Sequence, residues 1–137
     1  MAKYGKRSMH NLNDVHPLLV DWALQLVTVF DNTVVSGVRD LTTQREYVAR
    51  GVSKTMNSKH LIQKDGYGHA LDLAPYPVDW SDTRRFDLMA GYGLMLAIKM
   101  NIPIRWGGDW DRDTQVKDQK FHDLGHYELV IPEIREA

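Results

Sequence analysis

The feature that most constrains the fold is a pair of short alternating segments, "HALDL" at 69–73 and "HYELVI" at 126–131. Successive side chains on a strand point to opposite faces. Ala70 and Asp72 therefore share one face of the first segment, with His69, Leu71 and Leu73 on the other. In the second, His126, Glu128 and Val130 oppose Tyr127, Leu129 and Ile131. Each segment needs a cover for its apolar face and leaves acid and imidazole groups opposite. Such strands belong in a sheet with helices packed against one side.

The helices are legible as well. Pro17, after Asn13, Asp14 and His16, opens the apolar-periodic run Leu18, Leu19, Trp22, Ala23, Leu26, Val27 and Phe30, which predicts a helix over about 16–30. "TVVSGVR" at 33–39 predicts a β-branched strand, and Thr43 with Glu46 gives a capping-box pattern for a short helix closing at Gly51. Residues 52–68 read as a loop, and "HALDLAPY" as a strand stopped by Pro75 and Pro77. A longer helix is predicted from Ser81 to about Met100, then a strand "IPIRW", a polar loop "GGDWDRDTQVKDQKFHD" and the last strand. Two or three helices on a small, mostly antiparallel sheet make an α+β domain.

The chain of 137 residues fits one domain, with about 1–12 as an N-terminal arm and 132–137 as a tail. No apolar run approaches the ~20 residues of a membrane span. Lys3, Lys6 and Arg7 are not followed by the apolar region of a secretory signal, so synthesis is expected to end in the cytoplasm without stable membrane association. A net charge of −1 argues against a nucleic-acid partner. With no cysteine, His, Asp and Glu are the only strong metal ligands.

His60 stands in the loop ahead of Asp72, behind Ser58 and Lys59, so His60, Asp72 and His126 could meet at a metal. Two imidazoles and a carboxylate suit catalytic Zn²⁺, which keeps three protein ligands and an open position. A metal hydrolase also needs a carboxylate to carry protons, and Asp123, three residues before His126 on a glycine-containing turn, is placed for this. Satisfied structural histidines and solvated acids remain the alternative on these residues alone. Asp109, Asp111 and Asp113 in "DWDRD" begin like a calcium loop, but the pattern fails at Thr114 and Lys120. A Ca²⁺ site and a solvated acidic loop both remain open. His122 is expected to be a cleft-wall or structural residue, since a fourth ligand would close the zinc; Trp80, Trp106 and Trp110 are expected in the core and cleft walls.

"SKH" at 58–60, "GHALD" at 68–72 and "DLGHYEL" at 123–129 resemble the Ser-x-His, Gly-x-Ala-x-Asp and Asp-x-Gly-His pattern of the zinc peptidases of the D-alanyl-D-alanine carboxypeptidase and L-alanyl-D-glutamate endopeptidase superfamily. The branch most similar is the small phage endolysins that cut the peptide stem of bacterial peptidoglycan. "SGVRDLTTQREYVARGVSKTMNSKH" and "IPIRWGGDWD" also resemble that branch, so the similarity runs from about His16 to Val130. The resemblance implies the hedgehog/DD-peptidase-like fold, an antiparallel sheet flanked by helices. It implies His60, Asp72 and His126 as zinc ligands, Asp123 as catalytic acid/base, and Arg39 as the residue that steadies the scissile carbonyl or its oxyanion. Ser58 and Glu128 are expected to bind substrate or to support the ligands.

The implied activity is that of an L-alanyl-D-glutamate endopeptidase. Alternatives are a D,D-carboxypeptidase or dipeptidase on the same wall peptides and a hedgehog-like zinc-binding domain without turnover. A monomer made in the host bacterial cytoplasm and delivered to the wall by a holin-like factor is expected. One departure is the spacing: relatives have His-x-x-Gly, whereas "LIQKDGY" separates His60 from Gly68, a loop five residues longer. Loop growth is cheap, so His60 can still reach the metal. Strand alternation turns the rival His69 away from Asp72, and Lys64 to Tyr67 are expected to line the cleft.

Overall fold

The computed structural model describes residues 1–51, 58–115 and 123–131. The elements run α1 (Lys6–Asn11), α2 (Pro17–Val29), β1 (Asn32–Ser36), α3 (Leu41–Ala49), β2 (Ala70–Pro75), α4 (Thr83–Met100), β3 (Ile104–Gly107) and β4 (Asp123–Leu129). The four strands form one sheet in the order β1-β2-β4-β3, every neighbouring pair antiparallel. This is the expected α+β architecture.

Packing fixes the two long helices. Helix α2 starts at Pro17 behind a His16 N-cap whose Nδ1 accepts from the Leu18 N–H at 3.1 Å, and it buries Leu19, Trp22, Ala23, Leu26 and Val27. Helix α4 buries Phe86, Met89, Ala90, Gly93 and Ala97 and stops where Asn101 turns left-handed. The helices meet where the Trp22 indole N–H donates to the Gly93 carbonyl at 2.8 Å; a Cβ at Gly93 would lie 2.8 Å from the Trp22 ring, so glycine is required there. Leu71, Leu73, Tyr127 and Leu129 of the central strands close this core from the sheet side. Each fully buried side chain of this kind contributes about 1.5–3 kcal/mol, against about 1 kcal/mol for a helix cap. The helices are held by their apolar faces more than by their ends.

Four boundaries differ from expectation, each for a local reason. The N-terminal arm contains α1, which covers the outer edge of β1: the Ser8 hydroxyl accepts the Val34 N–H at 3.1 Å and the Asn11 amide donates to the Val34 carbonyl at 2.9 Å. Those groups would otherwise be an open strand edge. Helix α3 is capped by Asp40, whose carboxylate accepts the Thr43 N–H at 2.7 Å, and not by Thr43. Strand β1 ends at Ser36, where the register with β2 shifts and Gly37 lies against the Asn11 carbonyl with no room for a side chain. Strand β4 begins at Asp123, paired with Gly107, so Asp123 sits on a strand end and not on a turn.

Candidate active site

Register brings the polar residues together. Asp72 of β2 lies directly opposite His126 of β4, and both point away from the helices that pack on Leu71, Leu73 and Tyr127. His60 enters from the loop before β2. Its backbone N–H donates to the Ser58 hydroxyl at 3.1 Å, and its carbonyl accepts from the Arg39 N–H at 2.9 Å. Ser58 thus orients the chain at His60.

Both imidazoles have one nitrogen fixed from behind. His60 Nδ1–H donates to the Gly37 carbonyl at 2.8 Å, and His126 Nε2–H donates to Glu128 at 2.8 Å. The remaining nitrogens, His60 Nε2 and His126 Nδ1, each face the same Asp72 oxygen at 3.2 Å. In neutral rings these are lone pairs turned on a carboxylate oxygen, which calls for a cation between them. A tetrahedral zinc with bonds of about 2.0–2.1 Å has ligand–ligand edges of about 3.3 Å. The three donor atoms lie within 4.8 Å of one another, and two of the edges match, so His60, Asp72 and His126 form a group that could hold a metal ion.

Glu128 extends the support outward. Its second oxygen accepts from Arg105 Nη2 at 2.7 Å across the β3–β4 pairing. The Arg105 guanidinium stands 5.3 Å over the Trp110 ring, which lies 5.3 Å from the His126 ring. A carboxylate behind a ligand histidine fixes its tautomer and raises its basicity.

Charge in this cluster is strongly coupled. Burial alone would raise the Asp72 pKa, but the His60 charge and hydrogen bonds from His126 and His60 hold it well below the usual carboxylate range. Burial lowers the His126 pKa, yet its bonds to Asp72 and Glu128 prevail and raise it to about 9. Asp123 is pushed above the ordinary carboxylate value by burial and by the Asp72 charge, against the pull of His126, His60 and Arg39. A carboxyl raised in this way, beside two imidazoles and a guanidinium, is suited to take and return a proton.

Arg39 is aimed by residues that the sequence did not single out. Nη1 donates to Gln44 at 2.7 Å, the guanidinium lies 4.5 Å over the Tyr47 ring, and Nη2 is 3.6 Å from Asp72. Gln44 and Tyr47 stand three apart on α3 and so share one helix face, the signal that could have marked them. Arg105 could have been found only by knowing that it pairs with Glu128.

Other residues fall elsewhere. His69 turns away from the cluster to Asp65, 2.7 Å distant, with its ring 5.4 Å from His16. Asp65 and Tyr67 therefore pack at the start of α2 and not along the cleft. Asp109, Asp111 and Asp113 gather within 4.8 Å, but Asp109 already accepts from the Asp113 and Thr114 N–H groups at 3.3 and 2.9 Å. These bonds give the loop order of its own. Trp106 is in the core and Trp110 beside His126, whereas Trp80 is exposed and stacks on Phe86. His122 and Lys120 lie outside the described residues.

Known proteins match nearly the whole chain. A family model described as phage L-alanyl-D-glutamate peptidase matches residues 1–130. The L-alanyl-D-glutamate peptidase of Escherichia phage T5 is 30% identical over 139 residues, covering 93% of this chain and 98% of that protein. The crystal structure of the Serratia marcescens L-Ala D-Glu endopeptidase ChiX superposes with a TM-score of 0.75 at 29% identity, over 93% of this chain and 90% of that one.

Proposed function

The chain belongs to the phage L-alanyl-D-glutamate peptidase family, and on that premise we propose that it is a zinc-dependent endolysin domain that hydrolyses the L-alanyl–D-glutamate bond in the peptide stem of bacterial peptidoglycan. The observation that carries the reading is the convergence of His60, Asp72 and His126 with Asp123 and Arg39 on one face of the sheet. His60 Nε2, an Asp72 oxygen and His126 Nδ1 would hold the zinc. When bound it supplies Lewis acidity, which acidifies water and polarises a carbonyl.

The chain's own residues do the rest. Asp123 accepts the proton of the attacking water and returns it to the departing D-glutamyl nitrogen, a role that its pKa, raised above the ordinary carboxylate value by burial and the Asp72 charge, favours. Arg39, held by Gln44 and Tyr47, presents its guanidinium to the scissile carbonyl oxygen as negative charge develops there. Trp110 forms a flat wall beside His126 against which a peptide stem can lie. No helix among the described residues is long and apolar enough to cross a membrane.

Mass spectrometry of a digest of purified peptidoglycan tests the proposal. New D-glutamate amino termini and L-alanine carboxyl termini are expected. Release of terminal D-alanine instead would assign the chain to a carboxypeptidase reaction, and an intact stem under zinc-replete conditions would remove the enzymatic reading.

A further inference from the structure

A cavity of about 510 Å³ opens at the β1 edge of the sheet, beside Asn32 and Thr33 and at the opposite end of the β1–β2 pair from Ser36 and Asp72. Its charged lining is Lys3, Lys6 and Arg7 against the single carboxylate of Asp31, in a chain whose net charge is −1. Among the described residues none of these three cations forms an ion pair, whereas Arg39 and Arg105 of the catalytic cleft both do. Cations gathered without counter-charge repel one another, and an anion between them relieves that repulsion. Tyr76, 57% exposed, borders the same cavity and adds a ring of the kind that packs well at wet contact surfaces.

We propose that this cavity is a second binding site for the cell wall, which takes the carboxylates of peptidoglycan stems neighbouring the one in the catalytic cleft. The proposal rests on peptidoglycan as the substrate. A D-glutamate within a peptide uses one of its two carboxyl groups in the chain and keeps the other as a carboxylate. Every uncut stem therefore carries the anion that Lys and Arg side chains pair with. The two sites can be filled together. Tyr76 follows Asp72 by four residues, about 13 Å at the rise of an extended strand, and β2 stands between β1 and the His126 strand. Attachment at the cavity raises the effective concentration of stems at the cleft. A polymeric wall gains from this, and a single soluble stem does not.

Nucleic acid fits less well. Its affinity for a protein comes from many phosphate contacts along a basic track, whereas three cations here surround one cavity and Asp31 faces them. The site also leaves the chemistry alone, because Lys3, Lys6 and Arg7 belong to α1 and the segment before it, on the outer edge of β1.

Pelleting with insoluble peptidoglycan sacculi tests this. The full chain carries Asp123→Asn for the pelleting, so that the wall is not digested, and turnover of a soluble stem peptide is measured with Asp123 in place. Lys3→Glu, Lys6→Glu and Arg7→Glu together should weaken adsorption by about tenfold or more, and added salt should weaken it as well. Asp31→Asn should strengthen it by about two- to threefold, a gain that misfolding cannot produce. Circular dichroism and turnover of the soluble peptide should stay unchanged throughout. Amidating the carboxylates of the sacculi should release the protein, and stripping phosphate polymers with hydrofluoric acid should not. Adsorption indifferent to the triple reversal or to Asp31→Asn overturns the proposal. Loss of adsorption on phosphate removal, with the carboxylates intact, overturns it in favour of a phosphate polymer. Charge-dependent adsorption without cleavage of any stem would remove the peptidase reading and leave this site standing.

Discussion

A proton on His126 and a metal ion compete for one place beside Asp72. Hydrogen bonds to Asp72 and Glu128, prevailing over burial, raise the His126 pKa to about 9. At pH 7 about 1% of such rings are neutral, so zinc affinity there should be about 100-fold below its limit and should rise about tenfold per pH unit up to pH 9. The same shift has a sign for stability. In metal-free protein the raised pKa contributes stability that is fully present below about 6.5 and is lost as pH climbs through about 9, on the order of 3 kcal/mol in all. Asp72, depressed, contributes stability present above the ordinary carboxylate range and lost only as pH falls below it, outside this window. The gap in melting temperature between zinc-loaded and metal-free protein should therefore widen between about pH 6 and 9. Competition against a chromophoric chelator of known pH dependence measures the affinity, and calorimetry in two buffers measures the proton release. An affinity that is flat from pH 7 to 9 after chelator correction, or zinc uptake without release of about one proton at pH 7, would refute the competition and the assignment of His126 as ligand.

Four further substitutions separate the roles of the cluster and its neighbour His69. Asp123→Asn should keep zinc and fold while turnover drops by at least about 10²-fold, the lower range of general acid–base catalysis; zinc and turnover assayed on one preparation decide it, and loss of zinc would make the carboxylate a ligand. Glu128→Gln should weaken zinc binding by about 10–100-fold through the orientation of His126, read by the same chelator titration, and an unchanged affinity would reduce Glu128 to an ion-pair partner of Arg105. His60→Ala should abolish tight zinc binding and His69→Ala should not, as measured by metal content after dialysis; the reverse order would mean that the loop after His60 delivers the wrong histidine.

What the sequence concealed was mostly register. Alternation placed Asp72 and His126 on polar faces, because their neighbours Leu71, Leu73, Tyr127 and Leu129 are apolar and take the face toward the core. It could not say that Asp72 sits opposite His126, nor Arg105 opposite Glu128, since antiparallel offsets depend on loops that carry no register signal. The early start of β4 was hidden for a different reason. Asp123 and Gly125 are poor strand formers, yet Gly125 is needed: a Cβ there would stand 2.7 Å from the Leu73 carbonyl. Tertiary contact overrode propensity. The capping-box pattern starts helix α3 three residues late because Asp40 and Thr43 are both good caps, and only the Asp40 bond to the Thr43 N–H chooses between them.

The long loop after His60 illustrates how length can be absorbed away from a site. Each doubling of a flexible loop costs only about 0.6 kcal/mol in closure entropy, while a single internal hydrogen bond returns about 1 kcal/mol. This loop makes several. Gln63 accepts through its backbone carbonyl from the Gly66 N–H and donates its own N–H to Tyr67, with Gly66 in the left-handed region that the turn requires. Asp65 then accepts from the Tyr67 N–H at 3.1 Å and holds His69 at 2.7 Å. Both ends are tied independently, Gly68 N–H to the Asp14 carbonyl and His69 N–H to the Lys59 carbonyl, each within 2.9 Å. The extra residues therefore close on themselves at the start of α2, and no displacement need pass to His60, whose carbonyl and ring are fixed by Arg39 and Gly37 from the other side. The departure from the relatives' spacing thus falls where the metal-facing atoms do not feel it.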